Sequence, residues 1–199
     1  IFNKYDKLNI FIHRHFIDKN IAISRAVLNE CFDHRIFKAE QIYNGIDLRK
    51  FSPEENYYSE DKEIFNIINV SRIDHFKKGQ DILIRAVKEC KDRGLKLKCR
   101  FAGGIYSYSK ESYEFLTKLA KDLAVENEIE FLGNREDIAE LLKESDLFVL
   151  PSRYEGFGLV ILESMACKTP VIASNIDGPA EILKNGENGV LFESENSHD

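Results

Sequence analysis

From about residue 64 to residue 192 the chain alternates short apolar runs with amphipathic stretches, and few architectures accept that pattern. Residues 64–70 read as a buried strand, and 81–93 as a helix with Ile82, Leu83, Ala86, Val87 and Cys90 on one side. Residues 97–102 form the next predicted strand, closed by Gly103-Gly104. A helix over 112–124 follows, with Phe115, Leu116, Leu119 and Leu123 inward. A strand at 129–132 precedes a short helix marked by Ile138, Leu141 and Leu142. Residues 146–150 form another strand, ended by Pro151, which has no N–H for a ladder. A strand at 170–173, a short helix at 180–183 and a strand at 189–192 complete the series. Strict alternation demands right-handed crossovers, so the predicted class is α/β with a doubly wound, mostly parallel, Rossmann-like sheet.

Residues 52–62 break the pattern: they are polar, acidic and without period, and read as a linker or exposed loop. In front of them lies a short piece with two predicted strands, 20–24 and 41–43, and a helix capped by Ser24 and running through Val27, Leu28 and Cys31. So few residues cannot bury a core of their own. The division therefore falls into residues 1–50 and residues 51–199.

With 28 Lys plus Arg against 34 Asp plus Glu, the 199 residues carry a net charge of −6, which disfavours a nucleic-acid surface but permits a local phosphate pocket. No apolar run approaches the ~18 residues of a membrane span, and the opening residues do not read as a secretory leader. The four cysteines, Cys31, Cys90, Cys99 and Cys167, form no C-x-x-C pair and read as reduced thiols of a cytosolic protein. His13 and His15 have no further ligand nearby, so no metal site is expected.

The chemistry concentrates between Leu150 and Glu163. After Pro151-Ser152-Arg153-Tyr154 come Glu155, the turn Gly156-Phe157-Gly158, and a helix in which Leu159, Leu162, Met165 and Ala166 recur at helical spacing. The turn thus joins a strand's carboxyl end to a helix's amino end, where α/β sheets bind ligands and free N–H groups attract phosphate. A second constellation, Ser71-Arg72-Ile73-Asp74-His75-Phe76-Lys77-Lys78-Gly79, follows the strand at 64–70. A forked guanidinium and a mobile ammonium suit a diphosphate, and G-x-G-x-x-G is absent, which disfavours classical dinucleotide binding.

The Glu-x7-Glu stretch, Glu155 to Glu163, resembles the signature of the retaining, nucleotide-sugar-dependent glycosyltransferases of family 4, which have the GT-B fold. The resemblance spans about residues 20–192. It implies that Glu155 faces the transferred sugar, that Arg72 and Lys78 hold the donor diphosphate, and that Glu163 binds the ribose. It assigns Gly156, Phe157, Gly158 and Leu159 to the donor as well. Gly133, Asn134 and Arg135 would approach the base, with Arg135 equally readable as a surface charge. Gly103-Gly104 could sit near the phosphates or serve as a plain turn. Two departures stand out: Lys168 replaces the glycine preferred at the helix end, and Ile176-Asp177-Gly178-Pro179 replaces paired glycines.

By this resemblance, residues 51–199 form the donor nucleotide-sugar domain, and residues 1–50 close an acceptor-side domain whose larger part is expected to lie outside this sequence. The implied reaction moves a sugar from a nucleoside diphosphate sugar to an acceptor hydroxyl with retained configuration. No metal or other cofactor is expected, because no Asp-x-Asp motif is present. The expected acceptor is a glycan, a lipid-linked molecule or a small molecule, within glycan or cell-surface polysaccharide synthesis. The expected location is the cytoplasm or the inner face of the membrane, with any peripheral membrane association made through the absent part. These residues alone would bind donor weakly and catalyse little. A non-catalytic nucleotide-sugar sensor, a GT-B epimerase and a phosphorylase are the rival readings; a flavodoxin-like signalling domain would need an acidic pocket where Arg72 stands.

Overall fold

The computed structural model describes residues 7–31, 38–53 and 62–198. Residues 54–61, most of the expected linker, lie outside the described residues, as does the side chain of Cys31. The front piece holds helix α1 (Lys7–Phe16), strand β1 (Asn20–Ala22), helix α2 (Arg25–Cys31) and strand β2 (Ala39–Gln41). The two strands pair in parallel, Ala22 against Gln41. Strand β2 ends two residues before the predicted position of its end at Tyr43. Its partner strand stops at Ala22, where Ser24 begins the cap of α2 by accepting from the Val27 N–H at 3.0 Å.

Beyond residue 62 come β3 (Phe65–Val70), α3 (His75–Lys78), α4 (Gln80–Asp92), β4 (Leu97–Ala102), α5 (Lys110–Asp122), β5 (Ile129–Gly133) and α6 (Ile138–Lys143). The chain then runs through β6 (Leu147–Leu150), α7 (Leu159–Ala166), β7 (Val171–Ser174), α8 (Asp177–Ile182) and β8 (Val190–Phe192). Strands β3 to β8 form one six-stranded parallel sheet in the order β5-β4-β3-β6-β7-β8. Side chains alternate across this sheet, as a pleated strand requires. Ile67 and Val149 face one core with Leu83, Ile84, Val87, Leu116 and Leu119, which places α4 and α5 there. Ile68, Phe148 and Leu150 face the other core with Leu142, Ile161 and Leu183, which places α6, α7 and α8 there.

The strand order positions the site. From β3 the chain winds outward through β4 and β5, then returns to lay β6 against the other side of β3 and winds outward through β7 and β8. The direction reverses between β3 and β6, and the loops leaving those two strands part there. Such a switch point opens a crevice at the carboxyl edge of the sheet.

Two helices differ from the sequence pattern. Helix α3 is a single turn, too short to display a period, and forms because Asp74 accepts from the Lys77 N–H at 3.3 Å. Helix α8 starts at Asp177, three residues before the predicted start at Ala180. Pro179 is accommodated because N–H groups in a helix's first turn have no intrahelical partner anyway. At the end of α7, Lys168 does adopt the left-handed conformation, with φ of 61°, which costs a non-glycine residue ~1 kcal/mol relative to glycine.

Candidate active site

The turns after β3 and β6 enclose a cavity of about 320 Å³ at the switch point, lined by Arg72, Lys78, Glu155, Gly158, Leu159 and Val160 among others. Each charged group is held there by a distinct local device. In the β3 turn, buried Asn69 donates from Nδ2 to the Val149 carbonyl at 2.8 Å and accepts from Ser71 Oγ at 2.7 Å. Fully buried Gln80 donates from Nε2 to Ser71 Oγ at 3.0 Å and to the Arg72 carbonyl at 2.9 Å. This polar chain ties the Arg72 backbone to the sheet and to α4, and the side chain of Arg72 is exposed at the cavity.

Lys78 closes α3, and Gly79 turns the chain into α4 with φ of 63°. A Cβ at Gly79 would lie 1.9 Å from the Pro151 carbonyl oxygen, so only glycine lets the two turns meet this closely. Across that contact Lys78 Nζ donates to Glu155 Oε2 at 2.7 Å, with both side chains largely buried. Two residues that the resemblance assigns to different parts of a donor are therefore in direct contact.

The Gly156-Phe157-Gly158 turn is braced from behind. Phe157 is buried, and Tyr43 of the front piece stacks on its ring with centroids 5.2 Å apart. A Cβ at Gly178 would lie 2.3 Å from the Glu155 carbonyl oxygen, so the start of α8 presses directly on the turn. The carboxylate of Glu181 then joins the two pieces: it accepts from the N–H groups of Arg25 and Ala26 at 3.0 and 2.7 Å and from the Tyr43 hydroxyl at 3.0 Å. That bond to a carboxylate raises the Tyr43 pKa. A second cavity of 330 Å³ lies between α2 and this region, lined by Val27, Glu30, Tyr154, Glu155, Gly156 and Asp177 among others. Glu155 borders both cavities.

The remaining predicted residues lie farther out. Glu163, on α7 one turn beyond Leu159 and Val160, is half-buried. Burial pushes its pKa up, and the Lys50 ammonium only partly offsets this. The Gly133-Asn134-Arg135 turn follows β5 at the sheet's edge, two strands from the switch point. Arg135 is bound there to Asp137, with Nε donating to Oδ1 at 2.8 Å. Gly103 serves packing, since its Cβ would lie 1.9 Å from the Ser71 carbonyl oxygen. His13 and His15 lie on α1, and among the described residues no three His, Cys, Asp or Glu side chains cluster as metal ligands. Cys99 and Cys167 are buried free thiols, and Cys90 is half-buried. No helix among the described residues is long and apolar enough to cross a membrane.

Sequence reasoning missed Asn69, Gln80 and Arg153. A buried Asn or Gln inside an apolar run is a signal for a structural polar chain, but its partners come from β6 and from the turn and cannot be read locally.

A parallel sheet with this strand order places a glycine-bordered cavity, lined by Arg72 and Lys78, at its switch point, where open α/β sheets bind ligands. Residues 51–199 match the family model of glycosyl transferases group 1, and the chain belongs to that family. It is 34% identical over 184 residues to an uncharacterized glycosyltransferase of Methanocaldococcus jannaschii, covering 92% of this chain and 47% of that protein. It is 33% identical over 185 residues to N-acetyl-alpha-D-glucosaminyl L-malate synthase of Bacillus anthracis, covering 86% and 45% respectively. The chain thus spans about half the length of these curated relatives. The crystal structure of Anabaena HepE in complex with UDP and glucose superposes with a TM-score of 0.82 at 27% identity, over 97% of this chain and 55% of that one. The fold is that of GT-B glycosyltransferases.

Proposed function

We propose that this chain is the donor-binding part of a retaining glycosyltransferase that moves a sugar from a nucleoside diphosphate sugar to an acceptor hydroxyl. The observation that carries the reading is the convergence of Arg72, Lys78 and the amino end of α7 on one cavity that Glu155 also borders. In this reading the bond from the sugar's anomeric carbon to the diphosphate oxygen breaks, and its electron pair leaves with the diphosphate. Arg72, Lys78 and the first N–H groups of α7 stabilise that charge. The acceptor oxygen bonds to the same face of the anomeric carbon, and its proton passes to the departing phosphate. Glu155 holds the sugar, Glu163 the ribose, and Gly156, Phe157 and Leu159 shape the donor cradle. Gly133, Asn134 and Arg135 form the outer, base-side rim.

Protein cations supply the positive charge, so donor binding is proposed to be independent of divalent metal. The acceptor is proposed to be a glycan, a lipid-linked molecule or a small molecule, reached through the cavity on the α2 side of Glu155. The HepE complex with UDP and glucose supports a nucleotide and a sugar as the ligand class. A thermal-shift panel of UDP, GDP, ADP and their sugar conjugates, run with and without EDTA, tests this. One nucleotide series should raise Tm in both buffers. No shift with any of them would contradict the reading.

A further inference from the structure

Arg153 lies outside the cationic cavity and has no role in the reaction just described, yet its side chain donates five hydrogen bonds beside it. Nη1 donates to Asp81 Oδ1 at 2.7 Å and to the His75 carbonyl at 2.6 Å. Nη2 donates to Asp81 Oδ2 at 2.9 Å and to Glu195 Oε2 at 2.9 Å, and Nε donates to Glu195 Oε1. A guanidinium has five N–H bonds, and all five are used. Arg153 borders the cavity on the α2 side but has no donor left for a ligand there.

The placement of these acceptors matters more than their number. His75 stands three residues before Lys78 and Asp81 three residues after it, so one rigid fork grips the segment on both sides of the lysine. The backbone repeats the grip: the N–H groups of Arg153 and Tyr154 both donate to the Lys77 carbonyl, at 2.9 and 3.1 Å. Two residues after Arg153 comes Glu155, the partner of Lys78. Because desolvation offsets much of the attraction, a partly buried Arg–Asp pair adds little net stability, while its planar, bidentate geometry strongly restricts conformation.

We infer that Arg153 is a positioning residue: through Asp81 and the His75 carbonyl it fixes Lys78 relative to Glu155, and so fixes the ammonium that meets the donor diphosphate. The inference rests on the donor reading of Lys78 given above. It also predicts that the residue acts through Lys78 and not through general stability.

Calorimetry on the whole chain tests it, using whichever of UDP, GDP and ADP binds the wild type, together with the matching nucleoside. Arg153→Lys keeps the charge but cannot make five bonds, and Asp81→Asn removes the fork's partner with little change of shape; circular dichroism confirms folding of each. Each should weaken the diphosphate by about five- to thirtyfold and leave the nucleoside's affinity unchanged. Adding Arg153→Lys to Lys78→Ala should cost nothing beyond Lys78→Ala alone, because both changes remove the same interaction. Losses that add, equal losses on the nucleoside, or wild-type diphosphate affinity in both single variants would overturn the inference while leaving the donor reading standing. If Lys78→Ala itself binds diphosphate like the wild type, the donor reading fails, and the inference with it.

Discussion

The loops at the carboxyl edge of the sheet divide into two ends with opposite electrostatic habits. At the switch point, the turns after β3 and β6 touch each other, exclude side chains where they meet and turn Arg72 and Lys78 toward a shared cavity. At the β5 edge, the turn at Gly133-Asn134-Arg135 stands apart, and its only cation is satisfied by Asp137 two residues away. Each partner of that exposed pair holds the other in its charged form. The difference bears on the proposed phosphate site. A cation near a strand end is common, but two cations held by the tertiary contact of separate turns require long-range design.

The contrast can be broken most severely by adding one methyl group. Gly79→Ala should destabilise the chain by about 2–5 kcal/mol, combining left-handed strain with a backbone overlap at the Pro151 carbonyl. Gly133→Ala shares the positive φ, 68°, but meets nothing within 4 Å, so its cost should stay near ~1–2 kcal/mol. Urea unfolding of both variants measures the difference directly. Equal costs would mean that the switch-point contact is no tighter than the edge.

A smaller effect concerns Glu163 on α7. Its folded pKa is raised above the ordinary 4.5 by burial, so the folded chain holds this proton more tightly than the unfolded chain. Stability from this group is therefore lost as pH rises above about 4.5, through the folded value. Glu163→Gln should raise Tm at pH 7 and leave it nearly unchanged at pH 4. A variant less stable than wild type at pH 7 would show that the carboxylate is well paired within the chain.

These contrasts bear on what the sequence could reveal. The alternation of residues 64–192 was sufficient for the parallel sheet, since its strands are short apolar or alternating runs and its longer crossovers carry a helical period. Arg72, Lys78, Glu155 and Gly158 were legible as candidates because chemistry of that type clusters at two strand ends. The resemblance implied that they meet on one donor, but neither turn alone shows it, since it depends on β6 lying next to β3, a fact of strand order. The single-turn helix α3 had no period to read, and it is this helix that swings Lys78 across to Glu155. Arg153 looked like one more charge in a loop; only its partners at 75, 81 and 195 distinguish it. Arg135 was readable either as a base-side residue or as a surface charge, and in the structure it is bound to Asp137.

The two arginines therefore provide the most direct test of the phosphate assignment. Isothermal titration of the bound nucleoside diphosphate and its parent nucleoside into Arg72→Ala and Arg135→Ala separates the two ends. Arg72→Ala should lose about 1.5–3 kcal/mol of diphosphate binding, the range for charge-assisted bonds, with nucleoside affinity unchanged. Arg135→Ala should change diphosphate affinity by less than about twofold, as expected for an exposed, locally paired charge. Unchanged diphosphate affinity in Arg72→Ala, or the larger loss in Arg135→Ala, would contradict the placement of the phosphates at the switch point.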